Sequence, residues 1–561
     1  MKRNLESIAS NSYDILIIGG GIYGAFTAWE AITRGLSVVL IEKNDFGSAT
    51  SANSQKIIHG GFRYLQHADF NRMRESIRER TNLMRIAPHL IHPLPVLLPA
   101  YGHGLKGKEI LKIALMLYDG ISWDRNSNSD PEKNIPRGDF LSKETVLKII
   151  PGLEDKNLTG GAVFYDAQVY NSERLILSIL KSAHDAGAKI ANYAEVTGFL
   201  KEKNEVKGVK VLDQISKLSH EIRAQTIINT SGPWLREVLS LARGKREPAL
   251  NLVKSFNLVT KKLFDTYAVG LYGKNNYQDQ DAILNKGARL FFVTPWRNHS
   301  VIGTSLSHYS KAAGADNSLD KISVNENEIH TFLHDFNEAY PHAQLKREDV
   351  SLIQQGFLPG NSLHTSEKNV QIAKHYQLID HAQDGLDHLI SVLGVKYTTA
   401  RDVAQKVIDR VFQKIGRPSP PSKTAYTPIY GGNINQKFIQ DALQKEKIIP
   451  KNLLESLMRN YGSNYSEVLN YLANRKPQAL TENLSSPLTL LEAEVLHGVH
   501  EEMAQTLKDT IFRRTELGTL GHPGKDKLEF CARVMGAALE WNPQRIQTEI
   551  QTAHDSYPFM T

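Results

Sequence analysis

The sequence predicts a mixed α/β body followed by a helical C-terminal domain. Residues 13–42 have the pattern strand, glycine turn, helix, strand, and the middle of the chain mixes short β-rich runs such as AQTIINT and RLFFVTPW with helical ones. Beyond about residue 434 the periodicity is almost entirely helical. With 561 residues, 41% of them hydrophobic, the chain is long enough for two or three domains with their own cores.

A domain boundary is expected at residues 417–424. This segment, RPSPPSKT, has three prolines in eight positions, which disfavours helix and strand and favours an extended linker. The body then spans 1–416 and the helical domain 425–561. One long helical run in that domain is TLLEAEVLHGVHEEMAQTLKDTIFRRT, residues 489–515.

The first strand, turn and helix carry the pattern G-x-G-x-x-G. Gly19, Gly21 and Gly24 would give a tight turn, close approach of a pyrophosphate, and packing of the helix against the strand. The helix N-terminus offers N–H groups and a positive dipole end to phosphates. Glu42 lies 23 residues after Gly19, where a carboxylate can accept hydrogen bonds from a ribose. The pattern predicts a bound dinucleotide and leaves NAD and FAD open.

Three further segments are candidate parts of the site. Residues 48–66, SATSANSQKIIHGGFRYLQ, combine hydroxyls, cations, a histidine and paired glycines, although composition alone favours a polar surface loop. Residues 229–234, NTSGPW, place Gly232 in a turn after a strand, and taken alone this is an ordinary turn. At Gly394 a strand turns into a helix capped by Thr398 or Thr399, whose N–H groups could face a flavin edge or could simply begin a capped helix.

Charge, cysteine content and hydropathy limit the setting. The 67 Lys and Arg against 60 Asp and Glu give +7, which weakly favours anionic partners. Cys531 is the only cysteine, so an intrachain disulfide and four-cysteine metal sites are excluded and a reducing compartment is expected. The first residues lack a signal-peptide core, and no segment reaches the ~18–20 apolar residues that span a bilayer. We expect a cytoplasmic protein without metal or nucleic-acid partner, with attachment to the inner face of the membrane left open.

Taken in order, these motifs resemble the FAD-dependent glycerol-3-phosphate dehydrogenases, flavoproteins that pass electrons to quinone. The similar stretches include DILIIGGGIYGA, ATSANSQKIIHGGFRYLQ, NTSGPW, GVKYTTAR and, near the end, RRTELGTLGHPG. The resemblance covers nearly the whole chain, and KIIHGGFRYLQ is its most specific part. It implies a glutathione-reductase-like FAD-binding domain built from segments of about 13–90, 155–240 and 370–416. The segments between them would form a β-sheet substrate cap.

The resemblance also implies individual site residues. Expected cofactor contacts are Gly19, Gly21, Gly24, Glu42, Ser51, Ser54, Lys56, His59, Gly60, Gly61, Val196, Gly232, Gly394, Lys396, Tyr397 and Thr398. Expected substrate-binding and catalytic residues are Arg63, Tyr64, Asn257, Thr304, Lys374 and Lys396, with His59 as a further catalytic candidate. The cations would bind a phosphate, and the hydroxyls of Tyr64 and Thr304 would orient an alcohol. The base that removes the hydroxyl proton is not assigned; His59 and Lys396 are the candidates.

Five positions depart from the family pattern. Leu358 stands where a phosphate-binding arginine is expected, and Lys374 replaces a second arginine, keeping the charge but losing the bidentate fork. A histidine becomes Asn257, an acidic residue becomes Leu306, and GGK becomes GVK at Val395. The expected FAD site is therefore kept better than the expected phosphate site.

The expected reaction is oxidation of the secondary alcohol of glycerol 3-phosphate to dihydroxyacetone phosphate, with hydride transfer to flavin and electrons passed to quinone. Alternatives are a flavoprotein dehydrogenase or oxidase of another hydroxy acid, polyol or amine, and a non-catalytic flavin-binding protein. Retention of Arg63, Tyr64, Thr304 and Lys396 favours an enzyme. Oxygen is the alternative acceptor, and the oligomeric state stays open, with a homodimer as one option.

Overall fold

The computed structural model describes residues 1–103, 107–127, 131–276, 288–309, 319–320, 324–361, 370–447, 449–473 and 487–557. Its strands are β1 Ser12–Ile18, β2 Val38–Ile41, β3 Ile57–Ile58, β4 Ile91–Tyr101, β5 Asp139–Leu141, β6 Leu158–Val169, β7 Lys189–Ala191, β8 Ala194–Glu202, β9 Glu205–Asp213, β10 Ser219–Asn229, β11 Leu252–Lys261, β12 Ala268–Asn276, β13 Ala288–Trp296, β14 His299–His308, β15 Val350–Pro359, β16 Gln377–Asp380 and β17 Leu389–Leu393. Its helices are α1 Leu5–Ala9, α2 Ile22–Thr33, α3 Phe70–Ile86, α4 Lys108–Ile121, α5 Lys143–Ile149, α6 Ser172–Asp185, α7 Leu235–Arg243, α8 Glu326–Ala339, α9 Ala400–Ile415, α10 Gln436–Lys445, α11 Lys451–Tyr461, α12 Tyr465–Ala473, α13 Pro487–Glu502, α14 Leu507–Asp509, α15 Lys525–Ala538 and α16 Pro543–His554.

The first sheet holds the predicted dinucleotide-binding unit. Within the described residues its order is β16-β17-β10-β1-β2-β7, with β8 and β9 joined through β10. β1 pairs in parallel with β2 and β10. Helices α2, α6 and α9 cover one face, and α1, α7 and strands β8 and β9 cover the other. Burial on both faces explains why residues 15–18 of β1 form an uninterrupted apolar run, as is typical of parallel strands.

The second sheet forms the predicted cap. Its order among the described strands is β15-β11-β14-β13-β12-β4-β6-β3, with β5 beside β6. Helix α8 packs on one face, and α3 and α4 pack on the other. The strands β15, β11 and β14 pair antiparallel at one end of this sheet.

Strand β4 contains three prolines, which interrupt its apolar run in the sequence and so do not suggest a strand. Pro93, Pro95 and Pro99 are all at odd positions, so their nitrogens face one edge of the strand. β6 pairs with β4 along its whole length, whereas β12 meets it only at Val96 and Leu97. The alternate residues therefore keep their N–H groups for β6, and the prolines interrupt no ladder.

The C-terminal domain is helical, as predicted. Residues 417–424 contain neither helix nor strand, but they are packed on the body, since Thr424 is buried and its hydroxyl donates to Glu30 at 2.6 Å. The prediction of one long helix over residues 489–515 is wrong. α13 ends at Glu502, Met503 has a φ of 56°, and Thr506 begins α14 with a capping box. None of the described helices combines the length and apolar character needed to cross a lipid bilayer.

The strands β1 and β10 and the helix α2 meet at Gly24. A Cβ atom on Gly24 would lie 1.9 Å from the Gly19 carbonyl oxygen and 2.9 Å from Thr230 Oγ1. Thr230 itself donates to the carbonyl of Ile18 at 2.9 Å, which ties the end of β10 to β1. The helix can approach the strand at this distance only because Gly24 has no side chain.

Substitution Gly24→Ala should lower the free energy of unfolding by about 1–3 kcal/mol or more, because the methyl group overpacks two backbone segments. Urea unfolding followed by circular dichroism measures this change. The matched control is Gly120→Ala in α4, where the added methyl meets nothing within 4 Å. Equal stability of the Gly24→Ala and Gly120→Ala proteins would contradict the close-packing argument.

Candidate functional site

A cavity of about 520 Å³ opens at the carboxyl ends of β1 and β10. In open α/β sheets ligands bind in this crevice. Its walls come from the turns after β1, β10 and β17, the loop after β2, and the strands β11, β14 and β15 of the second sheet. The lining residues that were expected from the sequence are Gly19, Gly21, Glu42, Ser51, Ser54, Val196, Gly232, Asn257, Thr304, Gly394, Lys396 and Tyr397.

One end of the cavity has the features of a nucleotide site. Gly21 is the N-cap of α2 and Ile22 its first residue, and because both line the cavity, the positive end of the helix faces it. The Glu42 carboxylate accepts hydrogen bonds from the N–H groups of Gly20 at 2.7 Å and Asn44 at 2.8 Å. Burial raises the pKa of Glu42, and these N–H groups oppose that shift. A fixed carboxylate beside a helix N-terminus fits a ribose next to a pyrophosphate.

The turn after β17 is held by a tyrosine that sequence reasoning missed. Tyr23 Oη donates to the Lys396 carbonyl at 2.7 Å and accepts from the N–H groups of Val395 and Lys396, each at 3.1 Å. A Cβ on Gly394 would lie 2.1 Å from the Tyr23 ring. Burial raises the pKa of Tyr23 to about 12, so the hydroxyl stays protonated. The glycine pattern could not reveal Tyr23, since it leaves that position unspecified.

Lys396 lies on the cavity wall beside aromatic and cationic neighbours. Its Nζ is 4.2 Å from the centroid of the Tyr64 ring, and the Arg72 guanidinium carbon is 4.4 Å from the same centroid. Burial, followed by the charge of Arg72, lowers the pKa of Lys396 to about 7, although Glu75 and Asp69 oppose the shift. Near neutral pH the amine therefore exchanges between its charged and neutral forms, and a nearby anion would stabilise its charge.

The second sheet supplies a polar pair and an apolar wall. Thr304 Oγ1 donates to Asn257 Oδ1 at 3.0 Å, and Asn257 is buried. Because the hydroxyl proton of Thr304 points to Asn257, its oxygen acts toward a ligand as an acceptor. Phe357 and Leu358 of β15 add apolar surface to the wall.

The ammonium of Lys56, an expected cofactor contact, forms an internal ion pair. Its side chain is 0% exposed, and its Nζ donates to Glu173 at 2.8 Å and to the Ser172 hydroxyl at 2.7 Å. Burial lowers the pKa of Lys56, while Glu173 raises it. The ammonium is therefore used inside the protein and is not directed at the cavity.

The paired glycines also serve packing. Asp166 accepts from the Gly60 N–H at 2.5 Å and contacts His59 Nδ1 at 3.3 Å. A Cβ on Gly60 would lie 2.2 Å from Arg80 Nη1. Five of the expected cofactor contacts do not line the cavity: Gly24, His59, Gly60, Gly61 and Thr398. The missing side chain of Gly60 makes room for the buried Arg80.

The remaining expected substrate residues are divided between several places. Tyr64 lies behind Lys396, and Lys374 does not line the cavity. The side chain of Arg63 lies outside the described residues. Leu306 pairs with Ser255 across β14 and β11. The cavity wall also includes polar residues that the sequence did not single out: Lys43, Thr50, Asn53, Gln55 and Glu195.

Comparison with known proteins agrees with this geometry. The model of the FAD-dependent oxidoreductase family matches residues 14–385, and that of the C-terminal domain of alpha-glycerophosphate oxidase matches residues 422–546. A glycerol-3-phosphate dehydrogenase of Synechocystis sp. is 33% identical over 99% of this chain and 98% of its own. A mitochondrial one from Mus musculus is 30% identical over 96% of this chain and 72% of its own.

The fold has a solved counterpart. A glycerol-3-phosphate dehydrogenase from Bacillus halodurans complexed with FAD has a TM-score of 0.74 at 24% identity, covering 99% of this chain and 97% of that one. The helix N-terminus, Glu42 and the cavity beside them fit FAD as the cofactor. The chain belongs to the FAD-dependent oxidoreductases and, among them, to the glycerol-3-phosphate dehydrogenase family.

Proposed function

We propose that the protein oxidises glycerol 3-phosphate to dihydroxyacetone phosphate. The observation that carries this proposal is that one cavity joins a nucleotide end at Glu42 to a substrate end containing Lys396 and Thr304. FAD held at the α2 N-terminus and Glu42 would supply the redox chemistry, as acceptor of the hydride from the alcohol carbon and donor of electrons to an external acceptor. The relatives named above support the choice of substrate.

Lys396 binds the phosphate in this proposal. A dianion beside the amine favours the ammonium form and moves its pKa back toward the usual range for lysine. Because the bound substrate keeps Lys396 protonated, it is a poor candidate for the base. Thr304, fixed by Asn257, accepts a hydrogen bond from a substrate hydroxyl and so orients the alcohol.

Anaerobic titration with glycerol 3-phosphate should bleach the flavin absorbance of the purified holoenzyme. In Leu358→Arg, an added charge-assisted bond of about 1.5–3 kcal/mol should lower the half-saturating concentration at least tenfold. The matched control is glycerol, which has no phosphate and should show no such gain.

Two results of that titration would contradict the proposal. Bleaching by another hydroxy acid, polyol or amine without bleaching by glycerol 3-phosphate would establish a different substrate. An equal gain for glycerol in Leu358→Arg would show that the arginine does not act on the phosphate.

The pH dependence of kcat/KM should report the charge of Lys396. Its amine is protonated below a pKa of about 7 and neutral above it, so kcat/KM for glycerol 3-phosphate should fall about tenfold per unit above pH 7. In Lys396→Arg the charge persists to high pH and the fall should disappear. Steady-state kinetics from pH 6 to 9 measures both profiles. A rise of kcat/KM above pH 7 in the wild type would instead make the neutral amine the base.

We further propose that the protein docks on a membrane surface through an apolar patch. The patch comprises Phe70, Ile113, Met116, Leu117 and Trp123, which are all exposed. Ile113, Met116 and Leu117 follow helical i, i+3, i+4 spacing on α4, and Met116 is 72% exposed. Arg74, one turn after Phe70, bonds the Ile121 carbonyl and Asp124, so α3 and α4 meet there. Exposed apolar patches of this kind mark protein or membrane contacts.

The position of the patch supports a quinone as electron acceptor. Helix α4 packs through Tyr118 against Phe62, at 5.4 Å between ring centroids. Phe62 begins the short 3-10 helix Phe62–His67, which also carries Tyr64 next to Lys396 on the cavity wall. Helix α4 and the 3-10 helix Phe62–His67 thus connect the patch to the cavity wall at Lys396. Oxygen is the alternative acceptor.

Substitution Met116→Asp should weaken binding to vesicles about tenfold, since a buried side chain of this size contributes roughly 1.5–3 kcal/mol. Co-sedimentation with vesicles containing anionic lipid and a long-chain quinone measures binding, and quinone reduction should fall in parallel. Flavin bleaching by glycerol 3-phosphate should not change.

The matched control is Leu218→Asp, because Leu218 is 61% exposed in the turn between β9 and β10, outside the patch. Equal vesicle binding by both variants would overturn the docking proposal. Rapid reoxidation by air with none by quinone would overturn the choice of acceptor.

A further inference from the structure

The cofactor loop, defined as residues 43–56, forms one continuous side of the cavity. Ten of its residues line the wall: Lys43, Asn44, Gly47, Ser48, Ala49, Thr50, Ser51, Asn53, Ser54 and Gln55. The loop contains turns and bends but no helix or strand. Its shape is therefore not fixed by a backbone ladder and depends on side-chain anchors.

The first anchor is Asp45, at the start of the loop. Its side chain is 1% exposed. Arg514 donates two hydrogen bonds to its carboxylate, from Nη1 to Oδ2 at 2.8 Å and from Nη2 to Oδ1 at 2.7 Å. Arg513 Nε donates to the same carboxylate. Burial alone would raise the pKa of Asp45, but Arg514 and Arg513 lower it to about 2, so the charged pair persists at neutral pH. Both arginines belong to the C-terminal domain.

The contact is supported from both sides. Asn192, which follows β7, donates to Asp45 at 3.2 Å and to the Met503 carbonyl at 2.8 Å. Arg514 Nη2 also donates to the Glu502 carbonyl at 2.8 Å. The break between α13 and α14 therefore supports the contact through Asn192 and Arg514, while Arg513 and Arg514 themselves reach the loop.

The second anchor is Lys56, at the end of the loop. Its ammonium is bound by Ser172 and Glu173, the first residues of α6. The next residue, Arg174, is buried; it donates to Glu502 and, at 2.6 Å, to the Arg514 carbonyl. The C-terminal domain thus fixes the start of α6, and through it the far end of the loop.

We propose that the C-terminal domain retains FAD by holding both ends of the cofactor loop, with Arg514 and Asp45 as positioning residues. Neither side chain lines the cavity, so each acts through the loop. Glu42, the ribose-side carboxylate, lies three residues before Asp45 and shares its backbone turn. Release of the Asp45 anchor frees this turn and opens the wall along the nucleotide end.

The test measures release of FAD from the full-length holoenzyme without substrate, so its outcome does not depend on the proposed reaction. The rise in flavin fluorescence after dilution gives the dissociation rate for wild type, Arg514→Lys, Asp45→Asn and the double variant. Each single variant should release FAD at least tenfold faster. The double variant should be little faster than either, since both remove one contact.

The matched control is Leu528→Ala, which opens a cavity in the core of the C-terminal domain and touches no residue of the loop. It should lower the melting temperature without a comparable increase in FAD release. The Glu173→Gln variant tests the second anchor independently and should also speed release.

Two outcomes overturn the proposal. Unchanged release in both Asp45→Asn and Glu173→Gln would show that the anchors do not hold the loop. If the rates of FAD release of Leu528→Ala and of the anchor variants fall on one line when compared with their melting temperatures, the faster release reflects lower overall stability and not loss of the anchors.

Discussion

The cavity depends on the close contact between the backbones of helix α2 and strand β1. Gly24 brings α2 against the Gly19 carbonyl, and Thr230 bonds the end of β1 from the other side. This contact aligns the carboxyl ends of β1 and β10, from which the walls follow by strand pairing. β2 carries Glu42 beside β1, and β17 carries the Gly394 turn beside β10. A wider spacing at Gly24 would therefore change the walls that the first sheet contributes to the crevice.

The irregular segments around the crevice are ordered by buried charges. Asp166 accepts from the N–H of Gly60 and pairs with Arg80, whose Nη1 also donates to the Tyr165 carbonyl at 2.6 Å. Lys56 and Glu173 are paired in the same manner on the other side of the β2–β3 connection. Burying such pairs costs desolvation free energy that their attraction offsets only with good geometry. These ion pairs favour a single loop conformation, because that conformation pairs the charges and other loop conformations leave them unpaired.

The sequence predicts those parts whose physics is local. A glycine turn between a buried strand and a helix is recognisable because each glycine has a steric reason, and Glu42 follows from strand length. The ion pair of Lys56 with Glu173 was not predicted, because a lysine in a polar loop carries no sign of a partner that lies 117 residues away. The break at Met503 was missed since its causes, a positive φ and a contact with another domain, are tertiary. β4 was not predicted from the sequence. Whether its prolines interrupt a ladder depends on which edge of the strand their nitrogens face, and that can be judged only once the neighbouring strands are known.

At the substrate end of the cavity, Lys396 brings a charge that depends on its surroundings. An arginine at position 358 would be protonated at all relevant pH values, but Leu358 is apolar, while burial and Arg72 lower the pKa of Lys396 to about 7. A dianionic ligand that restores the ammonium must therefore bind together with a proton when the pH is above 7. Linkage requires that anion affinity then declines as the pH rises. With Leu358 in place of the expected arginine, the proposed phosphate site relies on Lys396, and its affinity for an anion is therefore expected to depend on pH, whereas recognition by arginine alone does not.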